Sequence, residues 1–143
     1  MINRRTPCVG VCSTTYGDLV CRGCKRFSHE IVGWNGYDSD QQGRVRSRLI
    51  KLHHESVRAC VRVYDKIRWR RTIESMIDAE PSEFAPLVLA VLKDVVRKPT
   101  EAGLEPLSLP RDVLSSDVLR SIDREFYFRS TAYYERSFKT LAL

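Results

Sequence analysis

The chain has 143 residues, with 24 Lys+Arg against 18 Asp+Glu, a formal charge of +6 and five cysteines. That length suits one domain, or one domain with a small appendage, and 43% hydrophobic with 29% charged residues excludes a disordered tail. The longest nearly unbroken apolar run, residues 85–92, falls far short of the roughly 20 residues that span a bilayer.

The two arginines at the start have no apolar stretch behind them, so neither a secretory nor a twin-arginine signal is expected. A cytoplasmic location follows as the expectation, with no membrane partner and with thiols kept reduced. The charge is polarised along the chain. Residues 1–71 hold 15 Lys+Arg against 6 Asp+Glu, residues 72–143 hold 9 against 12, and all five cysteines fall in the basic half.

Residues 1–27 carry turn formers and cysteines without periodicity and read as a loop-rich knuckle. Ser28 is placed to cap a short helix over 28–34, with Glu30 in its first turn, and Gly33, Gly36 and Asp38 break it. Ser39 with Gln42 three residues on forms a capping-box pattern that opens a long helix over about 40–71. On a 3.6-residue wheel, Val45, Leu49, Leu52, Val57, Cys60, Tyr64 and Ile67 share one face. Arg44, Arg48, Lys51, Arg58, Arg62 and Lys66 lie opposite. A break at His53 and His54, or a strand over 57–63, stays open at this point. A third helix is expected over 82–98, capped by Ser82, with Phe84, Leu87, Val88, Val91, Leu92 and Val95 in one stripe. A last one is expected over about 112–139, with Val118, Leu119, Ile122, Phe126 and Tyr133 in register. The expected fold is mainly α: a cysteine knuckle with a short helix over 1–38, then a helical region over 39–143 of about three to four helices.

Cys8, Cys12, Cys21 and Cys24 are spaced C-x3-C-x8-C-x2-C within 17 residues. Four thiolates this close can converge on one centre, and the short loops preorganise them. Two disulfides, or four unrelated buried cysteines, are the competing readings, and a chain without a secretion signal ranks both below a metal. Gly23, just before Cys24, sits where a knuckle backbone donates N–H bonds to a thiolate. Cys60 lies on the apolar helix face and reads as a small core residue. His29 reads as a helix-surface histidine, and the adjacent His53 and His54 point to different sides of a helix. Zinc and a [4Fe–4S] cluster carry similar net charge on four thiolates, so neighbouring Arg22, Lys25 and Arg26 favour both alike. The C-x3-C pair leans slightly to iron.

Pro7-Cys8-Val9-Gly10-Val11-Cys12, then Cys21-Arg22-Gly23-Cys24-Lys25-Arg26, then Glu30-Ile31 and Trp34, resembles the bacterial domain-of-unknown-function family 1289 over about residues 7–49. Members of that family are often labelled predicted Fe–S proteins. The resemblance implies that Cys8, Cys12, Cys21 and Cys24 are the ligands, and that Ile31 and Trp34 pack over the centre. Gly43, and a further segment of about 90 residues, depart from the family pattern.

Ten basic residues between 44 and 71 are opposed only by Glu55 and Asp65. Arginine binds phosphate bidentately and tryptophan stacks on unpaired bases, so Trp69, Arg70 and Arg71 extend the candidate stripe for RNA or a ribonucleoprotein. A merely solvated face, or an acidic protein partner, competes with that reading. Six of the 13 aromatic residues lie at Phe126, Tyr127, Phe128, Tyr133, Tyr134 and Phe138. They do not fit one face, which leaves Tyr127, Phe128 and Tyr134 as candidates for a partner surface. No Walker loop, dinucleotide fingerprint, nucleophile elbow or H-E-x-x-H is present, so catalysis is not expected. The expected function is a non-catalytic metal-binding module with a basic helix for nucleic acid. The alternatives are an Fe–S electron-transfer or redox-sensing protein and a protein–protein adaptor.

Overall fold

A computed structural model of the chain describes residues 6–10, 12–62, 67, 70, 71, 88 and 115–139. These residues are mainly helical, with a loop-rich, cysteine-bearing N-terminal region and no strand among them. Three α-helices are described: α1 (Ser28–Gly33), α2 (Ser39–Cys60) and α3 (Ser115–Tyr134). A π-type turn, Glu135–Lys139, follows α3 directly. None of these helices is long and apolar enough to cross a membrane. The expected helix over 82–98 lies outside the described residues, apart from Val88, which is helical and buried.

The chain divides into two compact units, one of residues 1–53 with 125–143 and the other of residues 54–124. In the first, Trp34, Val45, Leu49, Leu52 and Phe126 form the buried core, with Tyr37 and Tyr133 packed against it. Three α2 residues spaced i, i+4 and i+7 thus meet α3 through one aromatic ring, the apolar stripe that helical periodicity requires. In the second unit, Val57, Val61, Val88, Val118 and Ile122 are buried.

Three local features differ from the sequence expectation, each for a definable reason. Helix α1 begins at Ser28 but is capped by Phe27, whose N–H donates to Glu30 Oε1 at 2.8 Å. The carboxylate three residues on does the work assigned to Ser28. Helix α2 is boxed one residue earlier than Ser39: the Asp38 N–H donates to Gln41 Oε1 at 2.9 Å, and the Gln41 N–H to Asp38 Oδ1 at 2.8 Å. Gln42 is then free to donate from Nε2 to the Trp34 carbonyl at 2.9 Å, tying the indole backbone to the helix start. Finally, α2 runs unbroken through His53 and His54 but stops at Cys60 rather than near 71, with Val61 and Arg62 non-helical. Two β-branched residues at its end, Val57 and Val61, weaken helix propensity there. Ile67, placed on the apolar face, is exposed.

Candidate metal centre

The cysteine region is two arms joined by a turn. The first carries Cys8 and Cys12 and leads into a 3₁₀ turn, Ser13–Tyr16. Gly17 closes that turn at φ 97°, a left-handed conformation that favours glycine, with its N–H on the Thr14 carbonyl at 3.1 Å. The second arm folds back on itself: an antiparallel bridge pairs Val20 with Phe27, and the Ser28 N–H donates to the Leu19 carbonyl at 2.8 Å. At its tip the Cys21 N–H donates to the Arg26 carbonyl, and the Lys25 N–H to the Cys21 carbonyl, both at 2.9 Å. The reversal needs Lys25 at φ 65°. A non-glycine residue there is strained and is held by its surroundings. Lys25 is buried, its Nζ donating to the Gly23 carbonyl at 2.9 Å and lying 5.3 Å from the centre of the Phe126 ring.

The four thiols sit in unequal environments. Cys8 is exposed and Cys12 half-buried, whereas Cys21 and Cys24 are buried; none is in a disulfide. Burial raises the Cys21 thiol, but backbone N–H groups of Cys24, Ser13 and Gly23 outweigh it and bring it down to about 7. Burial pushes the Cys24 thiol up, against the opposing pull of Arg26. The Thr14 hydroxyl, 2.9 Å from Cys12 Sγ, lowers Cys12. On the first arm the Gly10 N–H donates to Cys8 Sγ at 3.4 Å. The arms are tied together where the Arg22 N–H donates to Ser13 Oγ at 2.8 Å.

Donor identity fits a thiolate-bound metal: four sulfurs, two of them buried under N–H donors that stabilise negative charge. Cys12 and Cys21, and Cys21 and Cys24, are near enough to influence one another electrostatically. As placed, however, no group of three or more His, Cys, Asp and Glu among the described residues is gathered closely enough to hold an ion.

Behind Cys24 lies a layer of cations and rings. Arg26 is 4% exposed; its Nε donates to Cys24 Sγ at 3.3 Å and its guanidinium lies 4.9 Å from the Trp34 ring centre. Trp34 therefore meets the cysteines through Arg26, while its own indole sits in the helical core. Ile31 is half-buried and Gly23 half-buried. Arg48, assigned by the sequence to the exposed stripe, turns inward instead. Its Nη1 and Nη2 donate to Glu30 at 2.6 and 2.5 Å, and its guanidinium lies 4.0 Å from the Phe27 ring centre. A partly apolar site makes this bidentate pair far stronger than exposure to water would. Sequence reading missed it because the partners are 18 residues apart; the available signal was that Glu30 is the sole carboxylate between Asp18 and Asp38.

Of the remaining stripe, Arg44, Lys51, Arg58, Arg62, Arg70 and Arg71 are exposed, while Lys66 and Trp69 lie outside the described residues. Among the aromatic candidates, Tyr134 is half-buried, 5.0 Å from Phe27 and 5.1 Å from Phe138 between ring centres. Tyr127 is half-buried beneath Arg22, 5.0 Å from its ring centre, and Phe128 is exposed. Cys60 is half-buried, and the exposed His29 leans on Phe138 at 5.2 Å.

Residues 6–52 match the family described as Protein of unknown function (DUF1289). The match covers about a third of the chain and takes in all four clustered cysteines, α1 and most of α2. No curated protein and no solved structure matches the chain.

Proposed function

We propose that this protein is a small, non-catalytic metal-binding module in which Cys8, Cys12, Cys21 and Cys24 hold one zinc ion or one Fe–S cluster. The observation that carries the reading is the Cys21–Cys24 turn, where two buried sulfurs are met by backbone N–H groups and by a buried guanidinium. These donors oppose the burial that pushes the Cys24 thiol up, and at Cys21 they outweigh it; thiolate is the form that ligates. A bound ion would supply the cross-link that a loop-rich segment of this size lacks, so metal binding and folding of the arms are coupled. The proposed location is the cytoplasm, where the cysteines stay reduced.

The partner proposed for the module is RNA or a ribonucleoprotein, through the exposed face of α2. Arg44, Lys51 and Arg58 recur every seven residues on that helix and are all exposed, a row of cations able to track phosphates. Filter binding of single-stranded RNA across a salt series tests it. Several phosphate contacts give a steep linear fall of log affinity with log salt, and each of Arg44→Ala and Lys51→Ala lowers the slope by about one contact's share. A flat salt response, or no binding at low salt, removes the nucleic-acid reading.

A second reading, electron transfer or redox sensing by an Fe–S cluster, is favoured by the hydrogen bonds to the sulfurs, because such bonds set reduction potentials. Anaerobic purification with visible absorption and metal analysis separates the two: a colourless chain with one zinc removes it.

A further inference from the structure

We propose that Arg26 is the charge-positioning residue of the thiolate centre, held against Cys24 by the face of Trp34. The inference deepens the metal reading above and rests on it.

Four observations converge on Arg26. It is 4% exposed, so its permanent charge has been withdrawn from water, at a cost that a buried partner must offset. Its Nε points at Cys24 Sγ, 3.3 Å away. Its carbonyl accepts the Cys21 N–H at 2.9 Å, so one residue touches both cysteines of the C-x2-C pair, by backbone and by side chain. And the carboxylate that could have paired with it is engaged elsewhere. Glu30, the one buried carboxylate among the described residues, takes both arms of Arg48 and the Phe27 N–H.

The geometry divides two arginines, Arg26 buried and Arg48 half-buried, between two kinds of anion. Arg48 serves the carboxylate; Arg26 serves the sulfur. The Arg26 guanidinium lies over the Trp34 ring, 4.9 Å from its centre, and Arg46 approaches the same indole at 5.5 Å. With its end over the indole, Arg26 keeps its Nε–H on the sulfur. Four thiolates leave a zinc or an oxidised [4Fe–4S] centre with net negative charge, and Arg26 is a fixed counter-charge built into the chain before the metal arrives. Partners of this kind change metal affinity by about 10–100-fold when removed.

The test compares the full-length wild type with Arg26→Gln and Arg26→Lys, each purified anaerobically. Zinc and iron per chain are measured, followed by metal retention against a chelator series. Arg26→Gln is expected to release its metal about 10–100-fold more readily. Arg26→Lys keeps the charge and is expected to stay within a few-fold of wild type. If the metal is iron, Arg26→Gln also lowers the midpoint potential, since losing a nearby positive charge favours the oxidised, less negative state. Circular dichroism and thermal melting establish that the variants are folded. Should Arg26→Gln fail to fold, Arg26→Lys decides by itself: near-normal retention supports the charge role, and release as ready as that of a ligand variant overturns it. Arg26→Gln retaining metal like wild type, or both variants losing it equally, also overturns it. A wild type that binds neither zinc nor iron overturns the metal reading and this one with it, whereas a loaded wild type with indifferent variants overturns only the role of Arg26.

Discussion

The two cysteine arms contain the same ligand chemistry in opposite surroundings. Cys21 and Cys24 are buried in a closed turn, crossed by backbone hydrogen bonds and backed by Arg26, Phe27 and Trp34. Cys8 is exposed and Cys12 half-buried, and the hydrogen bonds at their sulfurs are short-range, with Gly10 at Cys8 and Thr14 at Cys12. The difference teaches that the proposed metal site would be assembled asymmetrically. One arm would be a preformed half-site anchored to the helical core, and the other is tied to it by the Ser13–Arg22 hydrogen bond. The preorganised half bears most of the folding consequence, because its ligands and its packing are the same residues.

The sharpest way to break that comparison is to exchange ligands one arm at a time. Cys21→Ser is expected to abolish stoichiometric metal and to unfold the 19–28 turn, because structural metal binding is worth on the order of 10 kcal/mol and is coupled to folding. Metal analysis and hydrogen exchange of the Cys21, Lys25 and Ser28 amides measure it. A variant that keeps its metal and its melting temperature shows the ligand assignment to be wrong. Cys8→Ser is expected to weaken metal retention while leaving those amides protected, since an exposed serine for cysteine alters the fold itself by about 0.5 kcal/mol or less. Equal loss of protection in both variants would erase the asymmetry.

Next in size comes the support beneath the preformed arm. Arg48→Met leaves Glu30 buried without its cation, and removing one partner of a buried pair costs about 3–5 kcal/mol. Urea denaturation should show a lower midpoint of that order, with the slope unchanged. The Phe27 N–H still reaches Glu30, which places the expected loss at the lower end of the range.

Much of this was legible in the sequence, and the parts that were not have a common cause. Helical periodicity located α2 and α3, and it picked Val45, Leu49, Leu52, Ile122 and Phe126 as buried, because a repeat of 3.6 is a local property. The cysteine spacing located the knuckle for the same reason. Boundaries slipped where two residues competed for one job. Asp38 and Ser39 are both good caps with a glutamine three residues on, and the aspartate's own box wins. Long-range partners stayed invisible. Nothing local distinguishes Arg48 from Arg44 on the helix wheel, yet one is engaged by Glu30 and the other is exposed. Likewise nothing local sets Tyr134 beside Phe27. Arg26 could be flagged only as a cation near cysteines; its contact with Cys24 depends on the Lys25 turn and on Trp34, eight residues away.

The smallest expected effect isolates burial as the variable. Arg22 and Asp18 form an ion pair of the same residue classes as Arg48 and Glu30, at 3.2 Å, but the arginine side chain is 68% exposed and the aspartate 34%. Water screens such a pair, and ordering two side chains offsets much of its attraction, so exposed pairs contribute about 0–1 kcal/mol. Asp18→Asn should therefore shift the urea midpoint little, and less still at high salt, whereas Arg48→Met stays costly at any ionic strength. Arg22 has a further contact, with the Tyr127 ring at 5.0 Å, which the aspartate substitution leaves intact. A loss for Asp18→Asn as large as that for Arg48→Met would mean that the pair staples the two arms together, because Arg22 is also the residue whose N–H reaches Ser13. The exposed arm would then be as firmly built as the buried one.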